Sequence, residues 1–118
     1  RSQVTLELGG KGPSIVLDDA DLEMAVDGVL YGCFVYSGQV CESGTRALVP
    51  THLHDEFVAR LTQRVRSLAQ GAATGDDVGA MVTARQVEIA DRHVSQAVAA
   101  GSIAFNSRSP QRGVVRVR

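Results

Sequence analysis

The sequence predicts an α/β fold, a sheet with helices packed on it, because short strand patterns alternate with amphipathic helix patterns. Two strand patterns come first, followed by a helix, a third strand and two more helices. The chain has 118 residues, of which 44% are hydrophobic and 4% aromatic. This composition predicts one small globular unit whose core is built on Val, Leu, Ile and Ala.

Three short segments have strand patterns. Residues 4–8 alternate apolar and polar side chains, which is the period of a half-buried strand. Residues 9–13 are rich in glycine and end in proline, so they predict a tight turn. Residues 14–17 then predict a second, mostly buried strand, and residues 45–49 predict a third.

Three longer segments have apolar residues at helical spacing. The first follows Asp21 and continues to residue 34, with acidic residues at its start where the helix dipole favours them. The second covers residues 53–70, with Thr51 as candidate cap and Gly71 as candidate terminator. The third begins with a capping box at residues 83–86 and ends near Gly101.

Charge and composition exclude several classes of function. The net charge is −1 and aromatic residues are scarce, so we predict no nucleic-acid partner. No apolar run approaches about 18 residues and no secretory signal pattern is present, so we predict no membrane partner and a cytoplasmic location. The two cysteines, Cys33 and Cys41, are too few for a disulfide framework, and no Cys/His cluster has the spacing of a metal site.

The C-terminal segment differs from the body of the chain. Residues 102–118 contain four arginines and no acidic residue, whereas the rest of the chain is acidic. We therefore divide the chain into a unit over residues 1–101 and an atypical basic tail over residues 102–118. The tail is predicted to be non-native or disordered, without a packed apolar face.

Two side chains could carry chemistry. Cys41 lies in a loop with glycines on both sides, where its thiol is either a nucleophile or an inert, packed group. Glu7 ends the first strand pattern and is either a general base or an ordinary surface carboxylate. The glycines after Glu7 match neither a phosphate-binding loop nor a dinucleotide fingerprint. Cys33 lies on the apolar face of the first helix and is interpreted as a core residue.

The combination of these segments resembles the NAD(P)-dependent aldehyde dehydrogenases. The sequence LELGGK at residues 6–11 is followed, 34 positions after Glu7, by GQVC ending at Cys41, in the order and spacing of that family. The resemblance covers residues 4–101. It implies a fragment of an aldehyde dehydrogenase catalytic domain, with an α/β sheet and packed helices.

The resemblance also implies a mechanism. Cys41 matches the catalytic thiol, which attacks a small-molecule aldehyde to give a thiohemiacetal and then a thioester. Glu7 matches the base that activates water, and the backbone N–H of Cys41 matches part of the oxyanion hole. Leu8 and Gly9 match the segment against the nicotinamide of NAD or NADP. The family also implies a homo-oligomer.

Two alternatives remain open. A thiol such as coenzyme A could take the acyl group instead of water, although the presence of Glu7 favours water. The family's dinucleotide-binding domain and its oxyanion-hole asparagine do not occur in these 118 residues. We therefore expect the isolated chain to be inactive, and the other reading is a truncated, non-catalytic remnant or interaction module.

Overall fold

The computed structural model describes residues 2–6, 8–71, 73, 75–106 and 114–117. It confirms the predicted α/β class, with helices packed against short strands. In chain order the elements are β1 (Pro13–Ile15), α1 (Leu22–Phe34), a 3-10 turn (Val35–Gly38), β2 (Arg46–Leu48), α2 (Thr51–Ser67), α3 (Ala84–Ala99), β3 (Ile103–Asn106) and β4 (Val114–Val117).

Strands β1 and β2 pair in parallel, and α1 lies between them in the sequence. Pro13 pairs with Arg46 and Ile15 with Leu48, and just beyond β1 the Val16 N–H donates to the Leu48 carbonyl at 3.0 Å. Both strands were predicted, although they are shorter than expected. Val16 is buried, but Ile15 and Leu17 are 65% and 63% exposed, so the predicted burial of this segment is wrong for those two side chains. Their outward face has no cover among the described residues.

The core lies between α1, α2 and Val16. Asp21 caps α1, because its Oδ1 accepts the Met24 N–H at 3.0 Å. The predicted apolar faces of the two helices meet, which confirms both of them. The buried apolar residues are Val16, Val26, Val29, Phe57, Leu61 and Val65.

Ion pairs join the same two helices at the surface. Arg60 of α2 pairs with Glu23 of α1, and Arg64 of α2 pairs with Asp27 of α1. Arg60 also pairs with Glu56 one turn earlier on its own helix. Exposed pairs of this kind each contribute about 0–1 kcal/mol, so the apolar contact supplies most of the stability of this helix pair.

One predicted strand and both predicted ends of α2 are wrong. The described residues 4–6 and 8 lie outside any strand, because alternation gives a strand only where a neighbouring strand offers hydrogen bonds, and none of the described strands does so. Thr51 is the first residue of α2 and not its cap; Pro50 occupies the cap position without a side-chain hydrogen bond. Helix α2 ends at Ser67, so Gly71 does not terminate it.

Helix α3 has both of its predicted ends. The Thr83 hydroxyl accepts the Gln86 N–H at 3.3 Å, and Gly101 ends the helix with a φ of 86°. Its predicted apolar face is not buried, since Val87 and Val98 remain 44% and 48% exposed. Among the described residues no helix is long and apolar enough to span a membrane.

Strands β3 and β4 lie in the segment for which no regular element was predicted. They pair antiparallel, with Ile103 opposite Val117 and Asn106 opposite Val114. Four-residue strands give too short an alternation to be recognised in a sequence rich in arginine. The expected disorder of residues 107–113 and 118 concerns positions outside the described residues, and the boundary after residue 101 stays a prediction.

Burial in this core predicts a contrast between two valines. We expect Val26→Ala to lower the free energy of unfolding by about 2 kcal/mol, because Val26 is 0% exposed and its loss leaves a cavity. The matched change Val98→Ala, on the exposed face of α3, should alter it by less than about 0.5 kcal/mol. Urea unfolding of the three proteins measures both values, and equal destabilisation by the two changes would contradict the assigned core.

Candidate active site around Cys41

The parallel pairing of β1 and β2 places the two signature segments side by side. Because both strands run in one direction, the residues that precede them meet at the same end of the pair. A Cβ added to Gly10 would overlap the carbonyl oxygen of Cys41 and lie 3.1 Å from its carbonyl carbon. Gly10 therefore lies against the backbone of Cys41, at a distance that any side chain would prevent.

Cys41 lies at the tip of a β-turn. The Ser43 N–H donates to the Val40 carbonyl at 3.2 Å, which makes Cys41 and Glu42 the two central residues of the turn. Both are exposed, whereas Ser43 is buried. The turn thus presents the Cys41 thiol to solvent while its last residue is packed inside.

The chain reverses sharply between α1 and this turn. Tyr36, Ser37 and Gly38 have φ values of 49°, 60° and 71°, in the left-handed region that costs non-glycine residues about 1–2 kcal/mol each. Two side chains of this segment bind residues after α2. The Ser37 hydroxyl donates to the Gly79 carbonyl at 3.1 Å, and the Gln39 side-chain oxygen accepts the Val82 N–H at 3.0 Å.

Arg46 joins the glycine-rich segment to β2. Its Nε and Nη2 atoms both donate to the Lys11 carbonyl oxygen, at 3.1 and 2.9 Å. A charged fork on a single carbonyl is among the stronger hydrogen-bond arrangements. It fixes the backbone just after Gly10, and with it the contact between Gly10 and Cys41.

The candidate residues of this site differ in what the structure shows of them. Cys41 is an exposed free thiol. Leu8 is 85% exposed, and a Cβ at Gly9 would meet no atom of the described residues within 4 Å apart from its chain neighbours, so Leu8 and Gly9 form an accessible surface beside the Cys41 turn. Glu7 lies outside the described residues, and its proximity to Cys41 stays a prediction.

Cys33 is a different kind of thiol. It lies on α1, only partly exposed, and burial raises its pKa above the ordinary value while the Lys11 ammonium opposes that rise. A thiol with a raised pKa holds less thiolate at neutral pH, so it is a poorer nucleophile. The interpretation of Cys33 as a packing residue agrees with this environment.

Three residues that hold the site were given no structural role from the sequence, although Gln39 belongs to the GQVC motif. Ser43, Arg46 and Gln39 all bind backbone groups of segments distant in sequence. Serine, arginine and glutamine are common in loops, and their partners follow only from the chain topology. The one signal available was their position within or next to the Cys41 segment.

The match to a family model decides the family. The model of the aldehyde dehydrogenase family matches residues 1–114 of this chain. The chain belongs to the aldehyde dehydrogenase family. The match includes Cys41, Leu8 and Gly9, together with the segments that hold them.

Individual aldehyde dehydrogenases support the assignment. The betaine aldehyde dehydrogenase of Sinorhizobium fredii is 42% identical over 101 residues, which cover 84% of this chain and 21% of that protein. A crystal structure of betaine aldehyde dehydrogenase from Staphylococcus aureus in complex with NAD⁺ matches 86% of this chain and 21% of its own with a TM-score of 0.79 and 32% identity. Lactaldehyde dehydrogenase from Escherichia coli matches 82% of this chain and 21% of its own with a TM-score of 0.78 and 35% identity. The chain spans about a fifth of the length of these relatives.

The two thiols are expected to react in a fixed order. Iodoacetamide should alkylate Cys41 faster than Cys33 at neutral pH, by at least about tenfold, because Cys41 is exposed and burial raises the pKa of Cys33. The difference should narrow as the pH rises and Cys33 ionises. Peptide mass spectrometry over time measures both rates, and equal or faster labelling of Cys33 at neutral pH would contradict the assigned burial.

Proposed function

We propose that this chain carries the thiol part of an aldehyde dehydrogenase active site, which oxidises an aldehyde to a carboxylic acid with NAD or NADP. The observation that supports it most is the contact between Gly10 and Cys41, since it brings together the two segments on which the resemblance to the family is based. A remnant or interaction module is less favoured. Neither role requires an exposed thiol on a turn that contacts with three other segments of the chain hold in place.

In the proposed mechanism the Cys41 sulfur attacks the carbonyl carbon of the aldehyde. A C–S bond forms, the carbonyl π electrons move to oxygen, and the product is a thiohemiacetal on Cys41. The backbone N–H of Cys41 makes no hydrogen bond with the described residues, and in the proposed mechanism it donates to this oxygen. A donor fixed in advance at the position of a developing negative charge lowers the barrier for its formation.

The residues beside Cys41 fit a nicotinamide ring. Leu8 offers an exposed apolar side chain, and Gly9 leaves the space in front of the backbone open. A flat ring can therefore approach the backbone here without meeting a side chain. When bound, the nicotinamide would supply the hydride acceptor, so that the thiohemiacetal carbon on Cys41 loses its hydride and becomes the carbonyl carbon of a thioester. Leu8 and Gly9 would hold the ring next to Cys41.

Glu7 is proposed as the base that follows. It would take a proton from a water molecule, whose oxygen then attacks the Cys41 thioester, releases the acid and returns the thiol. Glu7 directly precedes Leu8 in the sequence, and its role as this base rests on the resemblance to the family. A cytoplasmic location and a homo-oligomer stay predictions of the resemblance.

Two steps of the proposed chemistry can be tested on the isolated chain: addition of an aldehyde to Cys41, and transfer of hydride to NAD or NADP. We expect an aldehyde such as propanal to protect Cys41 from iodoacetamide, because formation of the thiohemiacetal consumes the free thiol, and to protect it better than it protects glutathione. With NAD or NADP and the same aldehyde we expect no measurable formation of reduced cofactor. Holding both reactants in place contributes roughly 7–11 kcal/mol in such reactions, and the chain spans only 21% of its relative from Sinorhizobium fredii.

Each step has its own contradicting result. Protection of Cys41 no stronger than that of glutathione would count against its role as the nucleophile. Turnover that disappears in Cys41→Ser would support the nucleophile and contradict the expected inactivity. Calorimetry with NAD and NADP adds an independent readout, since tight binding would show that the residues of this chain suffice to hold the cofactor.

A further inference from the structure

We propose that Ser43 is a positioning residue, whose hydroxyl holds the turn that presents the Cys41 thiol and backbone N–H. The proposal rests on the proposed function, in which that N–H stabilises the oxyanion formed at Cys41. It adds a residue that does not touch the substrate and acts through the backbone of the nucleophile.

The hydroxyl of Ser43 binds the end of α1. Ser43 is 3% exposed, and its Oγ donates to the Gly32 carbonyl at 3.0 Å and lies 3.4 Å from the Cys33 carbonyl. These carbonyls belong to the last turn of α1, where the helix itself supplies no N–H partner. The serine therefore satisfies a helix end and attaches the turn to it by the same bond.

The backbone on both sides of this hydroxyl continues the attachment. The Ser43 N–H closes the turn on Val40 at 3.2 Å, and the Gly44 N–H donates to Gly32 at 3.0 Å. Helix α1 is itself fixed by the buried Val26 and Val29. The position of α1 therefore sets the orientation of the turn. The Ser43 hydroxyl supplies the side-chain contact between the turn and the helix.

Removal of the hydroxyl should loosen the turn without unfolding the protein. In Ser43→Ala the Gly32 carbonyl keeps the Gly44 N–H as its donor, so no buried acceptor there is left without a partner. The thiol of Cys41 stays exposed. What changes is how closely the Cys41 N–H is held where an oxyanion would form.

Two reagents separate these effects. p-Nitrophenyl acetate acylates a thiol through a tetrahedral oxyanion: sulfur forms a bond to the carbonyl carbon, the C–O bond to p-nitrophenolate breaks with its electron pair, and the thiol proton passes to the buffer. Iodoacetamide reacts by direct displacement of iodide, and no oxyanion forms. The ratio of acylation rate to alkylation rate therefore reports stabilisation of the oxyanion, independent of the exposure of the thiol.

The test measures this ratio on the chain of 118 residues in a Cys33→Ala background, with Cys41→Ser as the blank. We expect Ser43→Ala to lower the ratio about fivefold, the factor that one hydrogen bond of ordinary strength represents. Ser67→Ala is the matched control, because the Ser67 hydroxyl also donates to a backbone carbonyl, that of Arg64 at 2.8 Å, but at the end of α2. It should leave the ratio unchanged. Ser43→Thr, which keeps the hydroxyl, should keep the wild-type ratio.

The outcomes distinguish this proposal from the proposed function. The role of the hydroxyl would be overturned if Ser43→Ala left the ratio of acylation to alkylation unchanged, including by lowering both rates equally. A fivefold fall of that ratio in Ser43→Thr would overturn it too. A wild-type ratio no higher than that of glutathione would overturn it as well, since the turn would then offer no oxyanion donor. The proposed function is judged separately by the protection of Cys41 by aldehydes, which needs no ester.

Discussion

The parallel pairing of β1 with β2 is the constraint on which the rest of this structure depends. Parallel strands need a crossover between them, and α1 supplies it, capped by Asp21 and buried through Val26. The pairing places the residues that precede β1 next to the residues that precede β2. Gly10 and Cys41 meet for this reason, although neither segment carries any sign of the other in its own sequence.

The same arrangement explains how an exposed thiol can be held in place. The Cys41 turn is attached to the end of α1 through Ser43, to the glycine-rich segment through Arg46 and Gly10, and to the segment after α2 through Gln39. Accessibility and order usually oppose each other in a loop. Here every attachment uses the backbone or the neighbours of the turn, so the thiol of Cys41 stays free for chemistry.

The sequence predicted the helices well because their signals are local. Asp21 and Thr83 cap helices within a few residues of themselves, and the apolar spacing of α1 and α2 is repeated over several turns. Residues 4–8 were predicted as a strand by an equally clear pattern, but a strand also needs a partner, which local pattern cannot supply. The loop and the resemblance identified Cys41, whereas the role of Ser43 depends on carbonyls of α1 that only the folded chain brings near.

The close approach of Gly10 to Cys41 is tested most directly by backbone amide chemical shifts of Gly10→Ala, measured by two-dimensional NMR. A methyl group at this position would overlap the Cys41 carbonyl, so the turn must move. Gly28→Ala is the control, because a Cβ at Gly28 would meet no described atom within 4 Å apart from its chain neighbours and the nearby backbone of α1. We predict large shift changes at Cys41 and Glu42 in Gly10→Ala and none there in Gly28→Ala. Changes confined to the sequence neighbours of Gly10 would contradict the contact on which the site is built.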